Sequence, residues 1–154
     1  MEYGTIERAV HIDASPTTVF EVITSPDHLK EWWPDEAVIE ATPGATGHLV
    51  FGDPGSPDAH VPMLTVVDAV PPRLFSFRWT HPEGEDAHEG NSLFVTFELT
   101  PDGDGTLLRM TETGFREMGW EVAVLEEQYD DHASGWDHFL PQLVRYASSV
   151  EVGA

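Results

Sequence analysis

The order of its elements constrains this chain more than any single motif does. A short amphipathic helix pattern, Pro16–Thr24, comes early. Strand patterns then run from about Ala37 to Phe115, and a helical pattern closes the chain, ending near Val150. One helix laid across a bent antiparallel sheet tends to leave space between the two layers, and here aromatics would line that space. The order therefore predicts an α+β fold with a cavity suited to an apolar small molecule.

The local signals support this order. Thr5–Asp13 alternates, with Ile6, Arg8, Val10 and Ile12 set against Glu7, Ala9, His11 and Asp13, which predicts a first strand. Ser15 then stands as N-cap before Pro16 at the first helical position, and Val19, Phe20, Val22 and Ile23 form the apolar side of a short helix. Ser25-Pro26 ends it, and Pro26–Trp33 allows another turn or two before Pro34. Strands are expected over Ala37–Ala41, from His48 to Phe51, and over His60–Val70, Arg73–Thr80, Asn91–Thr100 and Thr106–Phe115. Pro- and Gly-rich turns separate them, and this spacing favours antiparallel hairpins over β-α-β crossovers. Arg116–Gln128 reads as helical turns. From Tyr129 onward His132, Trp136, Phe139/Leu140, Leu143, Val144 and Ala147 form one helix face, and Pro141 is expected to kink it. A chain of 154 residues without repeats reads as one domain over 1–154.

Charge narrows the function classes. Seven Lys+Arg against 28 Asp+Glu give a formal net charge of −21. Such a surface disfavours nucleic acid, whose binding is driven by neutralising phosphates, and equally disfavours anionic membranes. It would keep the protein soluble. No stretch reaches the ~20 apolar residues of a membrane span, and Met1–Arg8 lacks the basic and apolar segments of a signal peptide. A cytoplasmic protein is therefore expected. The absence of cysteine excludes disulfides, thiolate catalysis and cysteine-based metal sites.

Several segments, in order, carry a family resemblance. They are Ile6–Ile12 leading into Ala14-Ser15-Pro16-Thr17-Thr18-Val19-Phe20, then Ser25-Pro26-Asp27-His28-Leu29-Lys30-Glu31-Trp32-Trp33, and Gly47-His48-Leu49-Val50-Phe51. Pro71-Pro72-Arg73-Leu74-Phe75-Ser76-Phe77-Arg78-Trp79, Gly105-Thr106-Leu107-Leu108-Arg109-Met110-Thr111-Glu112, and Gly135-Trp136 with Leu140 and Leu143 follow. Together these resemble the SRPBCC superfamily of START-like, helix-grip proteins. Within it the chain is similar to the branch named after the activator of the heat-shock-protein-90 ATPase. The resemblance implies a β-α-α-β6-α topology of the START/Bet v 1-like kind, with a curved antiparallel sheet around a long C-terminal helix. No cofactor is expected. The resemblance leaves function open, since this fold hosts lipid transfer, hormone binding, cyclases, hydrolases and co-chaperone modules. The partner it suggests first is a small apolar or aromatic ligand, held by a monomer or a homodimer. A cyclase- or hydrolase-type enzyme and a chaperone ATPase-regulating module are the alternatives.

Period-two alternation puts Phe75, Phe77 and Trp79 on one sheet face, with Leu74, Ser76 and Arg78 on the other. The same rule adds Leu49, Phe51, Leu93, Val95, Phe97, Leu99, Leu108, Met110 and Glu112 to the apolar face. Its widest part, near Trp32, Phe51, Met63, Phe75, Phe77, Trp79, Met110 and Trp136, is expected to stay partly hollow. The expected ligand contacts are Trp33, Phe51, Met63, Phe75, Phe77, Trp79, Met110, Glu112, His132, Trp136 and Leu140. Adjacent helical residues point about 100° apart, so Trp32, three after Leu29, is expected in the core and Trp33 at the cavity rim. Glu112 is a carboxylate on an otherwise apolar face. With His132, one turn before Trp136, it is the candidate pair for proton transfer. The plainer expectation is that Glu112 faces solvent or pairs with Arg109, Arg78 or Arg116, and that His132 merely packs.

No metal site is expected. His81 and His88 flank an acidic loop, and His132 and His138 lie on different helix faces. Asp102-Gly103-Asp104-Gly105 lacks the spacing and closing glutamate of a calcium loop and reads as a hairpin turn. No nucleophile elbow and no phosphate loop are present.

Overall fold

Strand β1 (Thr5–Ile12) follows its alternation and buries Ile6 and Ile12. The structure, a computed structural model, describes residues 4–53 and 55–153, the last three by backbone alone. Ser15 caps helix α1 (Pro16–Thr24) by accepting from the Thr18 amide, and Val19, Phe20, Val22 and Ile23 face inward. Helix α2 (Pro26–Trp32) starts on Pro26 and buries Leu29 and Trp32. Six strands follow: β2 (Glu36–Val38), β3 (Thr46–Val50), β4 (Met63–Val70), β5 (Leu74–His81), β6 (Leu93–Asp102) and β7 (Gly105–Thr113). A single 3-10 turn, Arg116–Met118, leads to helix α3 (Val122–Gly153). This is the expected β-α-α-β6-α order.

The seven strands form one antiparallel sheet ordered β1-β7-β6-β5-β4-β3-β2. First and last strands are neighbours, with Ile6 opposite Glu112 and Arg8 opposite Met110. The inward series Phe75, Phe77, Val95, Phe97, Leu108 and Met110 meets Trp136, Leu140, Leu143 and Ala147 of α3 in one continuous core.

Strand ends shift by one or two residues from the sequence expectation at several elements, and β2, β4 and α3 differ most. β4 begins at Met63 rather than His60. His60 and Phe51 form only an isolated bridge, and Pro62 has no amide to donate to a ladder. β2 is shorter than Ala37–Ala41 and ends at Val38. α3 starts at Val122, inside the segment read as separate turns, and continues past Pro141, which lies on its exposed side.

The hairpin between β6 and β7 fixes β1 closely. A Cβ at Gly105 would drive into the backbone carbonyl of Ile12 and crowd the His11 ring. Gly105→Ala is expected to cost about 1–3 kcal/mol as overpacking against backbone. Thermal unfolding followed by circular dichroism measures this, and an unchanged midpoint would show that β1 can slide.

His11 on the same edge lies between Asp102 (Nδ1 to Oδ2, 2.8 Å) and Asp13 (Nε2 to Oδ1, 3.0 Å). The hydrogen bond to Asp102, then that to Asp13, holds its imidazole above the ordinary value of 6.5. A raised folded-state value means that the pair supports the fold fully below the unfolded value and loses that support as pH rises through the folded one. An NMR titration should place the His11 midpoint above 6.5, and Asp102→Asn should bring it down. A midpoint that ignores Asp102→Asn would remove the carboxylate as its cause.

Candidate functional site

The last turn of α2 sends two adjacent tryptophans to different tasks. Trp32 is still helical; its indole N–H donates to the Val22 carbonyl (3.1 Å) and the ring is buried. Trp33 caps the helix with φ −126° and ψ −94°, outside helical geometry, so its ring leaves the helix surface. It meets Trp136 of α3 at 5.2 Å between centroids, Trp79 of β5 at 5.3 Å and Phe51 at 6.0 Å. Trp32 thus lies in the core, and Trp33 borders open space.

That space is a cavity of about 390 Å³, lined by Trp33, Phe51, His60, Trp79, Gln128, Asp131, His132, Gly135, Trp136 and Phe139. Helix α3 supplies its contribution at helical spacing, so Gln128, Asp131, His132, Gly135, Trp136 and Phe139 form one stripe. Gly135 leaves room between Asp131 and Phe139 because nothing lies within 4 Å of where its Cβ would be.

Behind this wall Glu112 is completely buried. Its Oε2 accepts the Trp79 indole N–H at 2.7 Å, and its Oε1 accepts the Trp136 indole N–H at 2.8 Å. His132 Nδ1 lies 2.9 Å and 3.0 Å from the two oxygens. The plainer expectation for Glu112 is therefore corrected: it neither faces solvent nor pairs with Arg109, Arg78 or Arg116. The β7 register points it inward, opposite Val95 and Ile6. Arg109 and Arg116 are exposed, and Arg78 lies over the Phe94 ring at 5.1 Å. A buried carboxylate without hydrogen bonds would cost several kcal/mol (on the order of the figures for unpaired buried charge), and the three N–H groups offset that.

Indoles are donors only, so both Glu112 oxygens are acceptors. With Glu112 as a carboxylate the proton shared with His132 sits on Nδ1, and a neutral imidazole then keeps its lone pair on Nε2. The imidazole is clamped edge-on between Trp79 (5.4 Å) and Phe115 (5.5 Å) and has little freedom to turn. Among the described residues Nε2 has no hydrogen-bond partner, while His132 itself lines the cavity. The arrangement can accept a proton or a donor group from a bound molecule and hold the resulting positive charge against Glu112.

Of the residues named from sequence, Trp33, Phe51, Trp79, His132 and Trp136 border the cavity, and Glu112 stands directly behind three of them. Phe75, Phe77, Met110 and Leu140 are buried beneath the wall, where Phe77 packs on Trp33 and Phe97. Met63 is half-buried and lies at the start of β4, outside the lining. Alternation identifies the inward face but not which part of it the helix fills. His60, Gln128, Asp131, Gly135 and Phe139 are additions. The helical ones follow from extending the His132–Trp136 stripe one turn in each direction; no sequence signal marks His60. Among the described residues no cluster of three or more His, Asp or Glu side chains could hold a metal ion, and no helix is long and apolar enough to cross a membrane.

Comparison with known proteins gives a family-model match over residues 13–148, to the family described as activator of Hsp90 ATPase homolog 1-like protein. No curated protein matches the chain. Among solved structures, protein MLL2253 from Mesorhizobium loti is 22% identical with a TM-score of 0.73, the match covering 92% of this chain and 95% of that one. The Aha1 dimer from Colwellia psychrerythraea is 21% identical, with a TM-score of 0.70 and 97% of each chain covered. CalU16 from Micromonospora echinospora is 21% identical, with a TM-score of 0.65, 96% of this chain and 80% of that one. At such identities the likeness is one of fold.

Proposed function

We infer that this chain, which belongs to the activator of Hsp90 ATPase homolog 1-like family, is a small-molecule binding protein that holds an apolar or aromatic ligand between the curved sheet and the C-terminal helix. The observation that carries this reading is the aromatic cavity itself. Trp33, Trp79, Trp136, Phe51 and Phe139 surround about 390 Å³ of space, and the buried core continues beneath them. Large aromatic walls with a few polar groups are the usual composition of a ligand pocket. Here the polar groups are His132, oriented by Glu112, together with His60, Gln128 and Asp131.

N-phenyl-1-naphthylamine, a neutral aromatic fluorophore, tests the reading. It is expected to bind saturably at one site per chain. Trp136→Leu should weaken it at least tenfold. Native mass spectrometry of the purified protein, followed by denaturation, would reveal any co-purifying compound. No saturable binding and a clean mass together would move the weight to the family's chaperone-regulating interaction role.

A second reading is favoured by the 2.9 Å contact between His132 Nδ1 and Glu112. In a cyclase- or hydrolase-type enzyme His132 Nε2 would take a proton from the bound molecule and return it at the end of the cycle, with Glu112 holding the imidazolium between the two steps. His132→Gln would separate the readings, since it would abolish turnover and leave fluorophore binding within a few-fold.

A further inference from the structure

We propose that the ligand this cavity is built for carries a positive charge, and that it is a small aromatic amine bound as its ammonium ion. The inference rests on the small-molecule reading above and names its ligand class. Among the described residues, no lysine or arginine lines the cavity, and the full charges at or directly behind its wall are those of Asp131 and Glu112. An anion would meet both carboxylates. A cation would be attracted by both: Asp131 is exposed beside the cavity, and Glu112 acts from behind its Trp79, Trp136 and His132 partners.

The aromatic walls favour the same sign. The face of an indole attracts cations through its quadrupole, more strongly than a phenyl or phenol ring does, and three indoles border this space. Two of them, Trp79 and Trp136, give their N–H to the Glu112 carboxylate. A hydrogen bond to an anion leaves the ring richer in electrons and its face a better cation partner. His132 adds direction. With Nδ1 committed to Glu112, its Nε2 is an acceptor, and an ammonium N–H is a donor that suits it.

The surroundings complete the match. Glu127 precedes Asp131 by one turn on α3 and is exposed, so acidic groups continue along the helix from the cavity. The net charge of −21 supplies a long-range field that draws cations in and repels anions.

The test uses three probes of similar shape and different charge: phenethylammonium, neutral propylbenzene and anionic 3-phenylpropionate. Each is titrated at pH 8, above the ordinary range of a histidine, with the tryptophan indole N–H resonances read by NMR. Phenethylammonium is expected to bind at least tenfold more tightly than propylbenzene and to shift the Trp33, Trp79 and Trp136 signals while leaving Trp32 still. 3-Phenylpropionate should produce no shift. Asp131→Asn should weaken phenethylammonium three- to tenfold and leave propylbenzene unchanged, and raising the salt should reproduce part of that loss. Equal or tighter binding of propylbenzene, or binding of 3-phenylpropionate, overturns the cation assignment and leaves the apolar-ligand reading intact. Failure of all three probes, together with failure of N-phenyl-1-naphthylamine, overturns both.

Discussion

Glu112→Gln, although nearly isosteric, should lower the thermal midpoint by roughly 10 °C, which corresponds to about 3 kcal/mol for a domain of this size. Both carboxylate oxygens are occupied, one by the Trp79 indole and one by the Trp136 indole, with His132 Nδ1 reaching both. A carboxamide keeps one acceptor and replaces the other with a donor. Whichever way it is turned, its amino group faces an indole N–H that cannot accept. His132 can change tautomer to relieve its own contact; an indole cannot. A buried donor without a partner costs about 1–3 kcal/mol, and the site is too enclosed for water to substitute freely. The double variant Glu112→Gln/Trp136→Phe should therefore be more stable than the sum of the two single losses, because removing the second indole N–H removes the conflict. Circular-dichroism melts of the four proteins give this coupling directly. A Glu112→Gln midpoint within about 2 °C of the parent, less than the shift expected of 1 kcal/mol, would sink the acceptor role assigned to the carboxylate.

Alternation and order make most of the fold legible in the sequence, because both report what is buried. Ile6–Ile12 reads as a half-buried strand, Ser15-Pro16 as a helix start, and Phe75, Phe77 and Trp79 as one face, and the structure agrees on each. The site was less legible. Periodicity says that Phe77 and Trp79 both point inward; it cannot say that α2 and α3 fill the space over Phe77 and leave it open over Trp79. Glu112 shows the same boundary from the other side. Its position on β7 marks it as inward-facing, yet a carboxylate on an apolar face is costly unless donors converge on it. Those donors come from residues 33 and 24 positions away along the chain, so only the assembled layers reveal that they exist. The 100° helical step sets Trp33 apart from Trp32 in the sequence, but in the structure the separation comes from Trp33 leaving helical geometry, and the two rings still stack at 5.6 Å.

That separation supports the second large prediction. Trp32→Ala and Trp33→Ala should each destabilise the protein by about 3–5 kcal/mol, the usual cost of deleting a buried aromatic. Trp32 is the more enclosed of the two and loses its bond to the Val22 carbonyl; Trp33 loses packing against Phe51, Phe77, Trp79 and Trp136. Stability alone will not distinguish them, since both rings belong to one stacked aromatic cluster. Ligand binding will. In the milder Trp32→Leu and Trp33→Leu variants, each assayed well below its own melting temperature, N-phenyl-1-naphthylamine should bind Trp32→Leu within twofold of the parent. It should bind Trp33→Leu at least tenfold more weakly, because only that change strips a wall from the cavity. Equal losses in both would mean that the cluster responds as one body and that the space beside Trp33 has no identity of its own. Unchanged binding in both would put the fluorophore elsewhere on the protein. The predicted split, with matched stability and unmatched binding, is the result that a general weakening of the core cannot produce.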